Sequence, residues 1–291
     1  MDQLDAVLSE VADGGTLLEI QPGGNHGDSL IYHGFNKYLE SVDYDAVGLD
    51  DGRFRFDAPR TKPSLNPVGT ARWGRKQWKY ARHRFTSDVS AVYVHGGGNF
   101  NDLWKVGIRC YLSAARYFDC PIVVGPQSCQ FEETDPASVF RRAGNETHFF
   151  CREEYSYDIV REAAEDCDNV EVYLDDDTAL FLEREELPVR DHGEEHTLLA
   201  MRMDKDSRIP TIDRDVAGPI VVNDISKMEP TYEEWVNAAA RAERIFTDRL
   251  HVAILGTILG KPIVWYNTGY HKNRGVYEYS LANEPDVEFH Y

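Results

Sequence analysis

Asp248, Arg249 and His251 fall within one four-residue stretch between two apolar runs. The first run ends at Ile245-Phe246 and reads as the end of a buried strand. The second passes through Leu250, Ile254, Leu255 and Ile258 and reads as a helix stopped by Gly260-Lys261-Pro262. A fixed cation, an imidazole and a helix N-terminus, whose dipole and open amides favour anions, are gathered at one corner. That set suits an anionic substrate that must also receive or give a proton. The plain alternative is a capping Asp, a surface Arg and a core His.

Other predicted strands end in the same kind of residue. Gly23-Gly24-Asn25-His26-Gly27-Asp28 follows the first strand, and His95-Gly96-Gly97-Gly98-Asn99-Phe100 the third. Gly125-Pro126-Gln127-Ser128 follows the fourth, Arg152-Glu153 the fifth and Asp175-Asp176-Asp177 the sixth. Glycines at such turns let backbone amides come close to a ligand. Neither Gly-rich loop has the GxGxxG or GxxxxGK[ST] spacing, so dinucleotide and P-loop readings fall away. No spaced His/Cys/Asp set points to a metal. The acids at 175–177 read more readily as helix caps than as magnesium ligands.

The elements that position these residues alternate. Strands are predicted at Thr16 to Ile20, Tyr44 to Leu49, Val89 to His95, Pro121 to Val124, His148 to Cys151 and Val170 to Leu174. Helices are predicted at Ser29 to Leu39, Asn101 to Tyr117, Ala137 to Ala143 and Tyr155 to Ala164. Residues 51–84, basic and rich in Pro, Gly and Trp, read as an irregular loop with a short helix. Glu183 to Glu195 reads as a linker. A second series follows: strands at Thr197 to Met201, Pro219 to Val222, Ile245-Phe246 and Pro262 to Tyr266, with helices at Glu233 to Arg241 and Leu250 to Leu259. Such alternation implies an α/β fold with parallel sheets covered by helices. Two Rossmann-like halves fit best: residues 1–185, a linker at 186–195, and a smaller half at 196–291, with ligands at the C-terminal strand ends.

Composition limits the partners. The chain has 291 residues, is 42% hydrophobic and carries a net charge of −19. That charge argues against nucleic acid as a partner, because binding it needs a basic surface. Acids scattered along the chain, with Arg outnumbering Lys, suggest adaptation to a salt-rich cytoplasm, where screening tolerates self-repulsion. Denaturation that does not change between low and molar KCl would remove that halophilic reading. No signal segment or membrane-length apolar run is found, so a cytoplasmic location is expected. Five cysteines without CxxC spacing read as buried thiols.

Taken in order, the motifs resemble the polysaccharide pyruvyl transferase family. Gly24-Asn25-His26-Gly27-Asp28 followed by Leu30-Ile31 looks like its GNxGD opening. Gly96 to Phe100, Gln127-Ser128, Arg152-Glu153 with Ser156, Asp177-Thr178-Ala179 and Arg202 with Asp204 match further motifs. So do Asp248-Arg249-Leu250-His251, Gly260-Lys261-Pro262 and Lys272. The resemblance spans about Gly24 to Tyr279. It implies a GT-B-like architecture, here with a reduced second half. It also implies transfer of pyruvate from phosphoenolpyruvate to two hydroxyls of a sugar of a cell-surface or extracellular polysaccharide, forming a ketal. Phosphoenolpyruvate is then a substrate, and no cofactor is expected.

Within that reading His251 is the expected general acid. Arg152 and Arg249 are expected to clamp the donor's anionic groups, and Asp28 to orient or deprotonate the acceptor. Glu153 and Asp177 are weaker candidates for that last role. Asn25, Gly97, Gly98, Asn99, Gln127, Ser128, Glu153 and Lys272 are the expected substrate-binding set, with the amides of Gly97, Gly98 and Asn99 on phosphate or acceptor. The cationic, Trp-containing stretch 51–84 is expected to contact the acceptor glycan or its lipid carrier, giving a peripheral membrane contact. Two other classes stay open. A nucleotide-sugar glycosyltransferase would release a nucleotide, and a non-catalytic glycan-binding protein would show no turnover.

Overall fold

The fold is that of a computed structural model in which residues 2–12, 15–40, 42, 45–49, 67–86, 88–190, 196–203 and 218–291 are described. Helix α1 (Asp2–Val11) precedes β1 (Thr16–Ile20), α2 (His26–Glu40), β2 (Asp45–Leu49) and α3 (Pro67–Thr86). Next come β3 (Val89–Val94), α4 (Val106–Tyr117), β4 (Ile122–Gln127), α5 (Pro136–Ala143), β5 (Thr147–Cys151), α6 (Glu154–Ala164) and β6 (Val170–Leu174). Two short 3₁₀ turns lead to β7 (His196–Ala200), β8 (Ile220–Val222), α7 (Ile225–Met228), α8 (Tyr232–Ala240), β9 (Ala242–Thr247), α9 (Leu250–Ile258), β10 (Ile263–Tyr266), α10 (Lys272–Val276) and β11 (Val287–His290).

These elements form two parallel sheets flanked by helices. Among the described residues the first sheet has six strands in the order β2-β1-β3-β4-β5-β6, and the second has five in the order β11-β10-β9-β7-β8. The chain divides into two compact units, residues 1–23 with 38–177, and residues 24–37 with 178–291. Most of α2 therefore belongs to the unit built otherwise from the C-terminal part of the chain.

In the first unit, β3 to β5 are apolar on both faces, as strands covered by helices on both sides must be. Val92, Val94, Val124 and Phe149 are fully buried, and α4, α5 and α6 cover them with Tyr111, Phe140 and Val160. Each such side chain contributes roughly 1.5–3 kcal/mol by leaving water. Helix α5 shows how local sequence sets the boundaries. The Asp135 side chain accepts from the Ala137 amide, Pro136 opens the first turn, and Gly144 closes the helix at φ 74°. In the second unit α9 is apolar all round and is the central helix. Val252, Ala253, Ile254 and Leu255 are fully buried, and Leu30 and Ile31 of α2 join the same core.

Several local expectations need correction. The stretch 51–84 contains a long helix, not a loop with a short one: α3 runs 20 residues from Pro67. Pro67 opens the first turn, and the Arg, Lys, Gln and Ala residues that follow favour helix enough to carry Gly69 and Gly74. Residues 51–66 lie outside the described residues, as do Asp204 and the linker positions 191–195. Helix α4 begins at Val106 and not at Asn101, because the Asn101 side chain ties Gly98 O and the Trp104 amide into a turn. The stretch read as a linker includes a 3₁₀ turn at Arg184–Glu186. Helix α1 and strand β11 lie where no element is predicted.

Candidate active site

In the second unit all strands are parallel, so β7, β8, β9 and β10 deliver their following residues to one edge of the sheet. Asp224, just after β8, is the hub. Its two carboxylate oxygens accept from Arg249 Nε and Nη2, each at 2.6 Å, and Oδ2 also accepts from the Met203 amide at 3.0 Å. Both side chains are buried, at 8% exposure for Arg249 and 0% for Asp224. Arg249 is thus neither a surface residue nor an unfixed clamp. Its planar fork is held by an internal carboxylate before any ligand arrives.

Asp248 does not cap α9. Its Oδ1 accepts from the Arg202 amide at 2.7 Å, and its carbonyl accepts from Asn273 Nδ2 at 2.8 Å. Asn273 also donates to Tyr266 O, which ties α10, whose first residue is Lys272, to the end of β10. The Lys272 ammonium lies 5.1 Å from the centre of the Tyr270 ring. Burial pushes the Asp248 carboxyl above its ordinary range, against the opposing effect of the Arg202 amide and the nearby Arg202 and Arg249 cations. A carboxyl so raised contributes stability below the ordinary Asp value and loses it as pH rises through the folded value. Asp248→Asn is therefore expected to be more stable than the parent at neutral pH, with the gap closing in acid. Urea titrations across that range check this, and a gap independent of pH would refute it.

His251 stands in the first turn of α9, half-buried. The loop at 24–28 reaches it. A Cβ built on Gly27 would lie 2.5 Å from His251 Nδ1 and 2.7 Å from its Cβ, so only glycine admits the imidazole there. The rest of that loop caps α2. Asn25 Oδ1 accepts from the Gly27 amide, and Asp28 Oδ2 accepts from the Asn25 amide, each at 2.8 Å. Asn25 thus caps the N2 amide and Asp28, at N3, reaches back to the N-cap amide, which gives Asp28 a structural duty besides the acceptor role expected of it. His26 Nε2 bonds Glu229 O at 2.8 Å.

The first unit gathers the other expected residues. Arg152, 1% exposed, donates from Nη1 to Asp177 Oδ2 at 2.6 Å and from Nε to Ser128 Oγ at 2.8 Å. Glu153 is the N-cap of α6 and accepts from the Ser156 amide, while Ser156 Oγ accepts from the Cys129 amide. Gln127 donates to His95 O, and its own Oε1 has no hydrogen-bond partner. Gly97, at φ 127°, donates its amide to Pro126 O and accepts from the Ser128 amide. Its amide is therefore engaged within the fold. Asn99 is the exception in this tight set: it is 6% exposed, and neither its Nδ2 nor its Oδ1 is hydrogen-bonded.

The sequence reading passed over two further pairings. Glu19, within β1, bonds His95 Nε2 at 2.9 Å in a buried pair; a lone acid in an apolar strand was the available signal. Asp224 is the other, signalled only by its place after a strand. Asp175 Oδ2 accepts from the Leu4 amide in the first turn of α1, and its Oδ1 accepts from the Asp176 amide, so this acid serves a helix start, though not that of the segment following it. Among the described residues no group of three or more metal-ligating side chains is found. Nor, among them, is there a helix long and apolar enough to cross a membrane.

Each of the two parallel α/β units thus holds a buried Arg after a strand, and the second also carries an imidazole in the first turn of a helix. The comparisons carry this further. The family model for polysaccharide pyruvyl transferase matches residues 25–270, and the chain belongs to that family of transferases. A search of curated proteins gives no significant match. Among solved structures, a functionally uncharacterized protein from Klebsiella pneumoniae is similar in fold. It is 21% identical, with a TM-score of 0.69 and coverage of 99% of this chain and 97% of that one.

Proposed function

We propose that the protein transfers a pyruvyl group from phosphoenolpyruvate to two hydroxyls of one sugar in a cell-surface or extracellular polysaccharide. Membership of the family supports pyruvyl transfer to a saccharide in general. The observation that supports the donor chemistry is the His251 imidazole, held against Gly27 at the start of α9. In this reading His251 protonates the methylene carbon of phosphoenolpyruvate, and positive charge develops on the adjacent carbon. One acceptor hydroxyl adds there, phosphate leaves, and the second hydroxyl closes the ketal. Of the two hydroxyl protons, one balances the proton placed on the methylene and the other departs with phosphate.

Arg249, oriented by Asp224, supplies fixed positive charge beside the donor, with Lys272 as a second cation. Asn25 and Asp28 shape the loop that bears on His251. In the first unit Asn99 and Gly98 offer hydrogen bonds to a hydroxyl or phosphate oxygen, beside Gln127. Arg152, Ser128 and Glu153 hold that loop and its neighbours in place. Incubation with phosphoenolpyruvate and a panel of glycosides should release phosphate and add one pyruvyl group to the acceptor by mass. Release of a nucleotide from a nucleotide sugar, with phosphoenolpyruvate ignored, would establish the glycosyltransferase alternative instead.

Arg249→Lys should weaken phosphoenolpyruvate binding by about 2 kcal/mol, because an ammonium cannot keep both bonds to Asp224 while facing a ligand. Asp224→Asn should weaken it in the same direction by loosening the fork. Calorimetric titration checks both, and parental affinity in the two variants would move the donor elsewhere.

A further inference from the structure

The chain is strongly acidic, yet the segment from Pro67 to Thr86 holds Arg72, Arg75, Lys76, Lys79, Arg82 and Arg84 and no Asp or Glu. In α3 these cations share a helix with exposed apolar residues. Val68 is 64% exposed, Trp78 67% and Phe85 80%. Ala71, Arg75 and Arg82 are exposed as well. Positions 68, 71, 75, 78, 82 and 85 are separated alternately by three and four residues, which places them on one face of a helix. The opposite side anchors α3. Tyr80 is 4% exposed, with its ring centre 5.6 Å from that of Tyr117. Arg84 donates to Tyr117 O at 3.0 Å and to Asp119 at 2.7 Å.

We propose that this face of α3 docks on an anionic membrane surface. Three features favour a lipid surface over a pocket-bound ligand. The face is convex and runs roughly 25 Å along the helix, at 1.5 Å per residue, which matches a plane. Its order, apolar-small-Arg-Trp-Arg-Phe, places guanidinium groups at phosphate level and aromatic rings at the boundary between headgroups and acyl chains. Its charge is complementary to anionic lipid, whereas the rest of the chain is repelled. Screening limits that repulsion to about 10 Å or less at physiological salt, so the contacting face decides the outcome. The proposal does not depend on the donor chemistry above, because its readout is binding.

The test is co-sedimentation with phosphatidylcholine vesicles, with and without phosphatidylglycerol. The protein should partition onto the anionic vesicles and far less onto the neutral ones. Arg75→Glu with Arg82→Glu should lower partitioning at least about tenfold. Trp78→Ser with Phe85→Ser should lower it by about the same factor, and that loss should persist at high salt, where the Arg contribution fades. If charge reversal unfolds the protein by circular dichroism, Arg75→Gln with Arg82→Gln gives the same test with a smaller drop. Equal binding to both vesicle types, or parental binding by the variants, would overturn the proposal. So would a Trp78→Ser effect confined to a soluble glycoside, which makes the face a glycan site, or to sedimentation mass, which makes it a contact between copies of this chain.

Discussion

His251→Ala is expected to lower turnover by about a hundredfold or more, the scale of losing a positioned general acid, while leaving the melting temperature nearly unchanged. The two readouts separate because His251 is half-buried at a helix start and its ring is not part of the apolar core of α9. Gly27→Ala provides an independent approach to the same group. Alanine ordinarily favours a helix over glycine by about 1 kcal/mol, yet here the added carbon would lie 2.5 Å from the imidazole nitrogen. The imidazole or the first turn of α2 must shift, so activity should fall at least about tenfold even though residue 27 touches no substrate in the proposed reaction. Steady-state rates with phosphoenolpyruvate in excess decide both. Normal turnover in His251→Ala would remove this residue from the mechanism.

The second large effect concerns stability. Asp177→Ala would remove the carboxylate that Arg152 Nη1 bonds at 2.6 Å, at a guanidinium that is 1% exposed. Breaking a buried pair from one side costs about 3–5 kcal/mol, because the remaining charge is uncompensated. Arg152→Lys should not restore the parent, since one ammonium does not reproduce the separate bonds to Asp177 and Ser128. Urea denaturation followed by tryptophan fluorescence measures the loss. A change below about 1 kcal/mol for Asp177→Ala would mean that water or another carboxylate compensates Arg152. A destabilised but fully active Arg152→Lys would limit this residue to scaffolding.

What could be read from the chain follows from how local each signal is. Strands β1 and β6 fall on their expected residues, because a five-residue apolar or alternating run between turn formers is complete in itself. Helix α9 was legible for the same reason. Helix α3 was not, because Trp, Gly and a high density of cations mask a helix whose packing side is carried by a few residues such as Tyr80. At the site, residue types were legible but partners were not. A carboxylate that caps a helix and one that moves a proton look alike in sequence, and Asp28 and Glu153 are explained as caps only once the amides of Asn25 and Ser156 are seen against them. Arg249 meets Asp224 across 25 positions, and His95 meets Glu19 across 76. No periodicity in the chain reports such a meeting; it is set by the strand order of a parallel sheet.

The assignment of residues 24–37 to the second unit has a consequence for synthesis. During translation α2 leaves the ribosome early, but the α9 residues that share a core with Leu30 and Ile31 emerge more than 200 positions later. The first unit can acquire its sheet in the interval, since domains generally fold as units from the N-terminal end. Meanwhile the apolar side of α2 lacks its final neighbours and must be shielded by transient contacts or by chaperones. Completion of the second unit also closes a very long loop, whose entropic cost grows only slowly with length. The order of events, more than the final free energy, is then the vulnerable step. Slowed elongation between β6 and α9 would lengthen the time α2 waits, and with it the window for aggregation.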